Sequence, residues 1–159
     1  MMICFKIAHK GKQGFTLVEL MVVVAIIGIV AMVGYPSYQG FIKSSHRAAA
    51  QADLMSLGAA MERHKAASYS YKAAAVSAAD TGKPAIFHTH SPSAEPYASR
   101  AYDLTIKTAT GSSYLIEAKP LSTGSQAGDG SLFFYSDGRR AWDENNNGSI
   151  ASSEFCWKC

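Results

Sequence analysis

Cysteine is scarce in this chain, and its distribution matters more than its number. Of three cysteines, Cys4 lies near the N-terminus, Cys156 and Cys159 lie at the C-terminus, and none falls between. A disulfide tying the C-terminal region to the middle of the chain is therefore excluded. No glycine-rich phosphate loop, no Ser/His/Asp spacing and no paired carboxylates in a recognisable frame occur, so nothing indicates an enzyme. A charge excess is also missing once its source is located. The formal net charge of +3 comes from 15 Lys and Arg against 12 Asp and Glu, and Lys6, Lys10 and Lys12 all precede Gly14 in a stretch with no acid. The chain beyond residue 14 is formally neutral, which argues against binding nucleic acid through bulk charge.

What the chain does have is one long apolar run. From Phe15 to Gly34 the only charge is Glu19. A helix over these 20 residues is about 30 Å long, the thickness of a bilayer's hydrocarbon core. The lysines before it keep the N-terminus on the cytoplasmic side, so residues after Gly34 are exported into a disulfide-permissive compartment. A carboxylate at membrane depth costs about 2.5–3.5 kcal/mol and calls for a partner. Cleavage between Gly14 and Phe15 would create one, since the new α-amino group of one chain can meet Glu19 of a neighbour where charges are weakly screened. An ordinary signal peptide would instead carry a small-residue cleavage site after the run, and Ala31-Met-Val-Gly-Tyr-Pro36 is a poor one.

The junction Gly14-Phe15-Thr16-Leu17-Val18-Glu19 closely resembles that of the type IV pilins and their pseudopilin relatives. Tyr35 to Arg47, with Glu62-Arg63 and Tyr69, is similar to PilE-like minor pilins. The resemblance covers about the first 70 residues. It implies a leader (1–14) removed by prepilin peptidase, N-methylation of Phe15, and a helix break at Pro36 beside Gly34. It also implies an inner-membrane precursor that assembles with other pilins, through the pilus machinery, into an extracellular type IV pilus. A pseudopilin of a type II secretion system is the alternative, and a minor pilin that binds DNA or a surface is another. For DNA the candidate cations are Lys107, Lys119, Arg139 and Arg140.

Beyond the membrane segment (15–34), residues 35–67 read as an amphipathic helix in which Leu54, Leu57 and Met61 recur at helical spacing. Pro36 should kink or loosen it, and Gly28 is a second weak point. Residues 68 to about 100 show no period and read as an irregular connection. His88 and His90, two apart, could face one side of an extended segment as metal ligands, although a solvated loop is the expectation. Alternation predicts a hairpin over 101–119, a third strand at Ser131–Ser136 and a short fourth at Arg139–Trp142, with strand aromatics filling the core. The expected fold class is α+β: a long N-terminal helix on a small antiparallel sheet, with a loop, the sheet and a C-terminal loop making up 68–159.

Asp143 to Glu154 fits the calcium-loop pattern D-x-[DN]-x-[DN]-G-x5-E at every position. Asp143, Asn145, Asn147, the Ser149 carbonyl and Glu154 are the expected ligands, Gly148 supplies the turn, and Ile150 is expected to anchor the loop to the core. An Asn/Gly-rich turn that needs no metal is the alternative. Cys156 and Cys159 can form a small local disulfide ring, an intermolecular link or free thiols. A redox site or half a zinc site is a weaker reading, because a structural zinc site needs two further ligands.

Overall fold

The computed structural model describes residues 14–158. The leader calls before Gly14 and the expected role of Cys159 lie outside these residues. A single helix, α1 (Leu17–Ser68), is followed by five strands: β1 (His90–Ser91), β2 (Tyr102–Ala109), β3 (Tyr114–Pro120), β4 (Leu132–Tyr135) and β5 (Arg140–Trp142). The strands form one antiparallel sheet in the order β1-β2-β3-β4-β5. By its contacts the chain divides into two compact units between Tyr38 and Gln39.

Thr16 starts the helix. Its Oγ1 accepts the backbone N–H of Glu19 at 3.2 Å, which satisfies one of the amides that a helix N-terminus leaves without an intrahelical partner. The helix runs through Gly34 and Pro36 without interruption, so the proline ends no element. The residues around it are exposed, leaving its ring free of packed neighbours.

In the second unit α1 turns one face to the sheet. Ala50, Leu54, Leu57 and Met61 are fully buried against Tyr102, Leu104, Ile106, Ile116 and Leu132. Alternation along β2 and β3 puts these apolar side chains on the face toward the helix and the polar ones on the other. Gly58 lets the helix approach β4: a Cβ there would lie 2.6 Å from the Phe134 ring. The expected hairpin is β2 and β3, with a register shift between Ile106 and Thr108. Tyr102 and Tyr114 do fill the core. Phe133 and Tyr135, opposite Glu117 and Leu115 in register, lie on the outer face, so the strand aromatics are shared between core and surface.

The stretch 68–100 is irregular but not loose. It contains the isolated bridge Ala75↔Pro84 and strand β1, which pairs His90 with Asp103 and Ser91 with Tyr102. Asp53 of the helix pins the segment after β1 by accepting the Ser93 backbone N–H at 3.0 Å and the Ser93 hydroxyl at 2.6 Å.

Candidate functional site

The first unit is an apolar helix surface with one acid. Phe15, Leu17, Met21, Ile29 and Met32 all stand exposed, and Phe15 and Met32 are each 79% accessible. Among the described residues, α1 is the one helix long and apolar enough to cross a membrane. In the structure Glu19 is exposed within this surface, four residues from the Gly14/Phe15 junction. Thr16 and Glu19 also form the Thr-x-x-Glu spacing of a helix start, a signal legible in the sequence beside the processing motif.

A buried polar hub ties the Gly/Ser loop between β3 and β4 to the helix. Arg47 donates from Nε to Asp129 Oδ2 at 3.0 Å and from Nη2 to Oδ1, and its guanidinium lies 3.9 Å from the Trp142 ring centroid. The hydrogen bond to Asp129 raises the Arg47 pKa above its ordinary value. The Tyr102 hydroxyl donates to Asp129 Oδ2 at 2.6 Å, and burial first, then that bond, push its pKa up. Trp142 Nε1 donates to the Asp129 carbonyl, and buried Gln126 donates from Nε2 to the Lys43 carbonyl. Arg47 falls in the pilin-like segment, Tyr102 in the expected hairpin and Trp142 in the expected fourth strand, but no local pattern announces contacts between positions so far apart.

Three polar cavities follow one another over the exported domain. The first, about 320 Å³, is bordered by His46, Arg100, Thr123 and Ser125. The second, about 480 Å³, shares Arg100, Leu121 and Thr123 with it and adds Lys119. The third, about 510 Å³, shares Lys119 and adds Lys107, Phe133, Asn146 and Asn147. Shared residues link the three cavities into one grooved face, on which Arg100, Lys119 and Lys107 stand among Asp103, Glu117 and Asp143. Asp103 pairs with Arg100 at 2.7 Å and Glu117 with Lys107 at 3.3 Å, whereas Lys119 takes part in none of the ion pairs found among the described residues. Arg139 and Arg140 are not part of this groove. Arg139 pairs with Asp137, whose pKa is lowered chiefly by the Arg139 backbone N–H. Arg140 stacks 5.0 Å from the Trp157 ring centroid.

The 143–154 loop buries both of its end residues, Asp143 and Glu154. Asp143 accepts the amides of Asn147 and Gly148, and Glu154 accepts the amides of Asn145 and Ala151 and the Asn145 side-chain N–H. Asn147 and Ser149 donate their backbone N–H groups to the side chains of Asn145 and Asn147. Every proposed side-chain ligand therefore turns into one loop. Glu154 Oε1 accepts twice from Asn145, while the other carboxylate and amide oxygens each accept one amide and keep a second lone pair, which is the oxygen chemistry that calcium takes. Ile150 is half-buried and outside the core cluster, so the side chains of Asp143 and Glu154, rather than the isoleucine, organise the loop. Among the described residues no group of three or more His, Cys, Asp or Glu is arranged to hold a metal ion.

The C-terminal tail packs on β4 and on Arg140 of β5. Phe155 packs on Tyr135 with ring centroids 6.0 Å apart, and Trp157 on Phe134 at the same distance. Trp157 Nε1 donates to the Phe133 carbonyl, and Gln51 of the helix donates to the Trp157 carbonyl. Cys156, in this tail, is disulfide-bonded.

A long helix, apolar at its start, followed by a small antiparallel sheet and a closed C-terminal loop is the architecture of a type IV pilin subunit. A family model described as type IV minor pilin ComP, DNA uptake sequence receptor, matches residues 36–131, and one for the prokaryotic N-terminal methylation motif matches residues 9–35. The chain belongs to the ComP family of type IV minor pilins. Relatives include a fimbrial protein of Pseudomonas aeruginosa, 43% identical over 53 residues (33% of this chain, 34% of that protein). Fimbrial protein Q of Moraxella bovis is 53% identical over 36 residues (23% of each chain). The type IV major fimbrial protein FimA of Dichelobacter nodosus is 59% identical over 34 residues (21% and 22%). The chain spans about a third or less of the length of these curated relatives. With these relatives, the apolar helix near the N-terminus fits a membrane-anchored precursor that is assembled into an extracellular pilus.

Proposed function

We propose that this chain is a minor subunit of a type IV pilus, cut between Gly14 and Phe15 by prepilin peptidase and N-methylated at Phe15. It then enters the filament by helix packing, with Glu19 paired to the terminal amine of a neighbouring subunit. The observation that carries this reading is the exposed apolar helix surface interrupted only by Glu19. Leaving lipid, such helices bury one another, and the acid selects one register because any other leaves it without a cation. A loosening of the helix around Gly34 and Pro36 belongs to the same proposal. Glu19→Ala should insert into the membrane normally yet be missing from sheared filaments; normal incorporation would refute the pairing. The family and its relatives favour the pilus over a secretion pseudopilus, and the subunit is proposed to act without catalysis.

The exported domain is further proposed to bind DNA. The matching family is described as a DNA uptake sequence receptor, and the linked groove supplies Arg100, Lys119 and Lys107 despite a neutral overall charge. Retention of duplex DNA by processed full-length protein should weaken with salt, and Lys107→Ala with Lys119→Ala should reduce that salt dependence. Arg139→Ala with Arg140→Ala should leave binding nearly unchanged. The reverse outcome would move the site to the end of the β4–β5 hairpin.

A structural calcium ion held by Asp143, Asn145, Asn147, the Ser149 carbonyl and Glu154 is proposed for the C-terminal loop, and a Cys156–Cys159 disulfide for the tail behind it. With two carboxylates the affinity should fall in the range of extracellular modules, about 10⁻⁴–10⁻³ M.

A further inference from the structure

His88 and His90 flank a bend at Thr89, just where β1 begins, and this bend brings their rings beside each other. Their rings lie 6.0 Å apart, centre to centre. Two imidazoles holding one ion at square or tetrahedral angles have centres about 4.5–5.2 Å apart, given metal–nitrogen bonds of about 2.0–2.1 Å, so the exposed His88 ring must close on His90 by about 1 Å.

The tautomer of His90 follows from one contact. Its Nε2 is 2.9 Å from the carbonyl oxygen of Glu95. A carbonyl only accepts, so Nε2 carries the proton and Nδ1 of the neutral ring keeps its lone pair. Histidines that ligate metals are oriented in this way, the outward N–H bound to a carbonyl or carboxylate while the other nitrogen faces the ion. The His90 ring is further braced edge-on by Tyr97 at 5.4 Å. His88 packs edge-on with Phe87 at 5.3 Å and is exposed, so a turn about its side-chain bonds brings either nitrogen toward Nδ1 of His90. Asp103 lies opposite His90 in register on β2 and contributes negative charge nearby. Arg100 takes part of that charge through its ion pair with Asp103.

We propose that His88 and His90 together bind a divalent transition metal ion of the Cu²⁺, Ni²⁺ or Zn²⁺ class. Two imidazoles favour this class over Mg²⁺ and Ca²⁺, and the remaining coordination positions go to water. The site is independent of the calcium loop, which offers oxygen donors only.

The test uses tag-free, processed full-length protein in detergent, with its disulfide intact, titrated calorimetrically with Cu²⁺ alone and then Zn²⁺ alone. One equivalent of Cu²⁺ should bind, Zn²⁺ more weakly, and Mg²⁺ not at all. His88→Ala and His90→Ala should each weaken Cu²⁺ binding at least tenfold with unchanged circular dichroism, while His46→Ala and His64→Ala retain full affinity. Binding that survives loss of either His88 or His90 would put the ion at the Phe15 amine or the C-terminal tail and would overturn the proposal. So would an affinity for Mg²⁺ equal to that for Cu²⁺.

Discussion

Arg47 and Asp129 stand 82 positions apart in the chain, yet they share two hydrogen bonds beneath the β3–β4 loop. The Asp129 side chain is 5% exposed and that of Arg47 is 23% exposed. Removing one partner of such a buried pair leaves the other uncompensated, which costs about 3–5 kcal/mol. Asp129→Ala should therefore lower the melting temperature of the exported domain by about 10 °C or more. Arg47→Lys should restore little, because an ammonium matches neither the paired carboxylate oxygens nor the Trp142 face. A melting temperature within 2 °C of wild type in Asp129→Ala would contradict the clamp.

Alkaline stability should be set by Tyr102. Burial and the bond to Asp129 raise its pKa above the ordinary value of about 10, and burial with nearby Glu62 raises that of Tyr114. The unfolded chain ionises these phenols near pH 10 while the folded chain keeps them neutral. Their contribution is complete below that point and declines as pH climbs toward the folded values, by about 1.4 kcal/mol per pH unit for each group. Melting temperatures should be flat from pH 7 to 9 and fall above about 10. Tyr102→Phe should be less stable than wild type at pH 7, with the gap narrowing by pH 11. A constant gap across this range would rule out the tyrosine as its source.

Gly130 and Gly138 both adopt positive φ, +81° and +85°, but their surroundings differ. A Cβ on Gly138 meets nothing within 4 Å, whereas one on Gly130 would lie 1.8 Å from the Asp143 carbonyl oxygen. Gly138→Ala should cost about 1–2 kcal/mol, from backbone strain alone. Gly130→Ala should cost several times more, since it forces apart the loop of the hub and the start of the 143–154 loop. Equal denaturation midpoints for the two variants would contradict this close approach.

The calcium proposal is read by melting the full-length protein with excess Ca²⁺ and with chelator. Millimolar Ca²⁺ should raise the melting temperature, and Asn147→Ala should cancel the gain while keeping the metal-free value close to that of wild type. No difference between the two conditions would leave the loop closed by its amide donors alone.

The hairpin of β2 and β3 was legible because Tyr102, Leu104, Ile106 and Ile116 alternate with polar residues, and the inner helix face because Leu54, Leu57 and Met61 keep helical spacing. Strand β1 was not. Its two residues carry no period, and pairing with Asp103 and Tyr102 makes them a strand. The same holds for Asp53 with Ser93 and for the cation groove, where chain reversal brings Arg100 and Lys119 to one cavity. Glu19 could be picked out without a structure because a lone acid in an apolar run needs no tertiary context to look anomalous. The Thr16 cap was equally local, yet the processing motif overlies it.

Because Trp157 is seated on Phe134 and held by Gln51, the segment after the 143–154 loop is a working part of the fold. An affinity tag or fluorescent reporter fused beside Trp157 would pull the tail off Phe134 and Arg140, and one placed ahead of Phe15 would be removed by the proposed cleavage. The exposed bend at Gly111-Ser112-Ser113 joining β2 to β3 is the better place to insert a label in living cells.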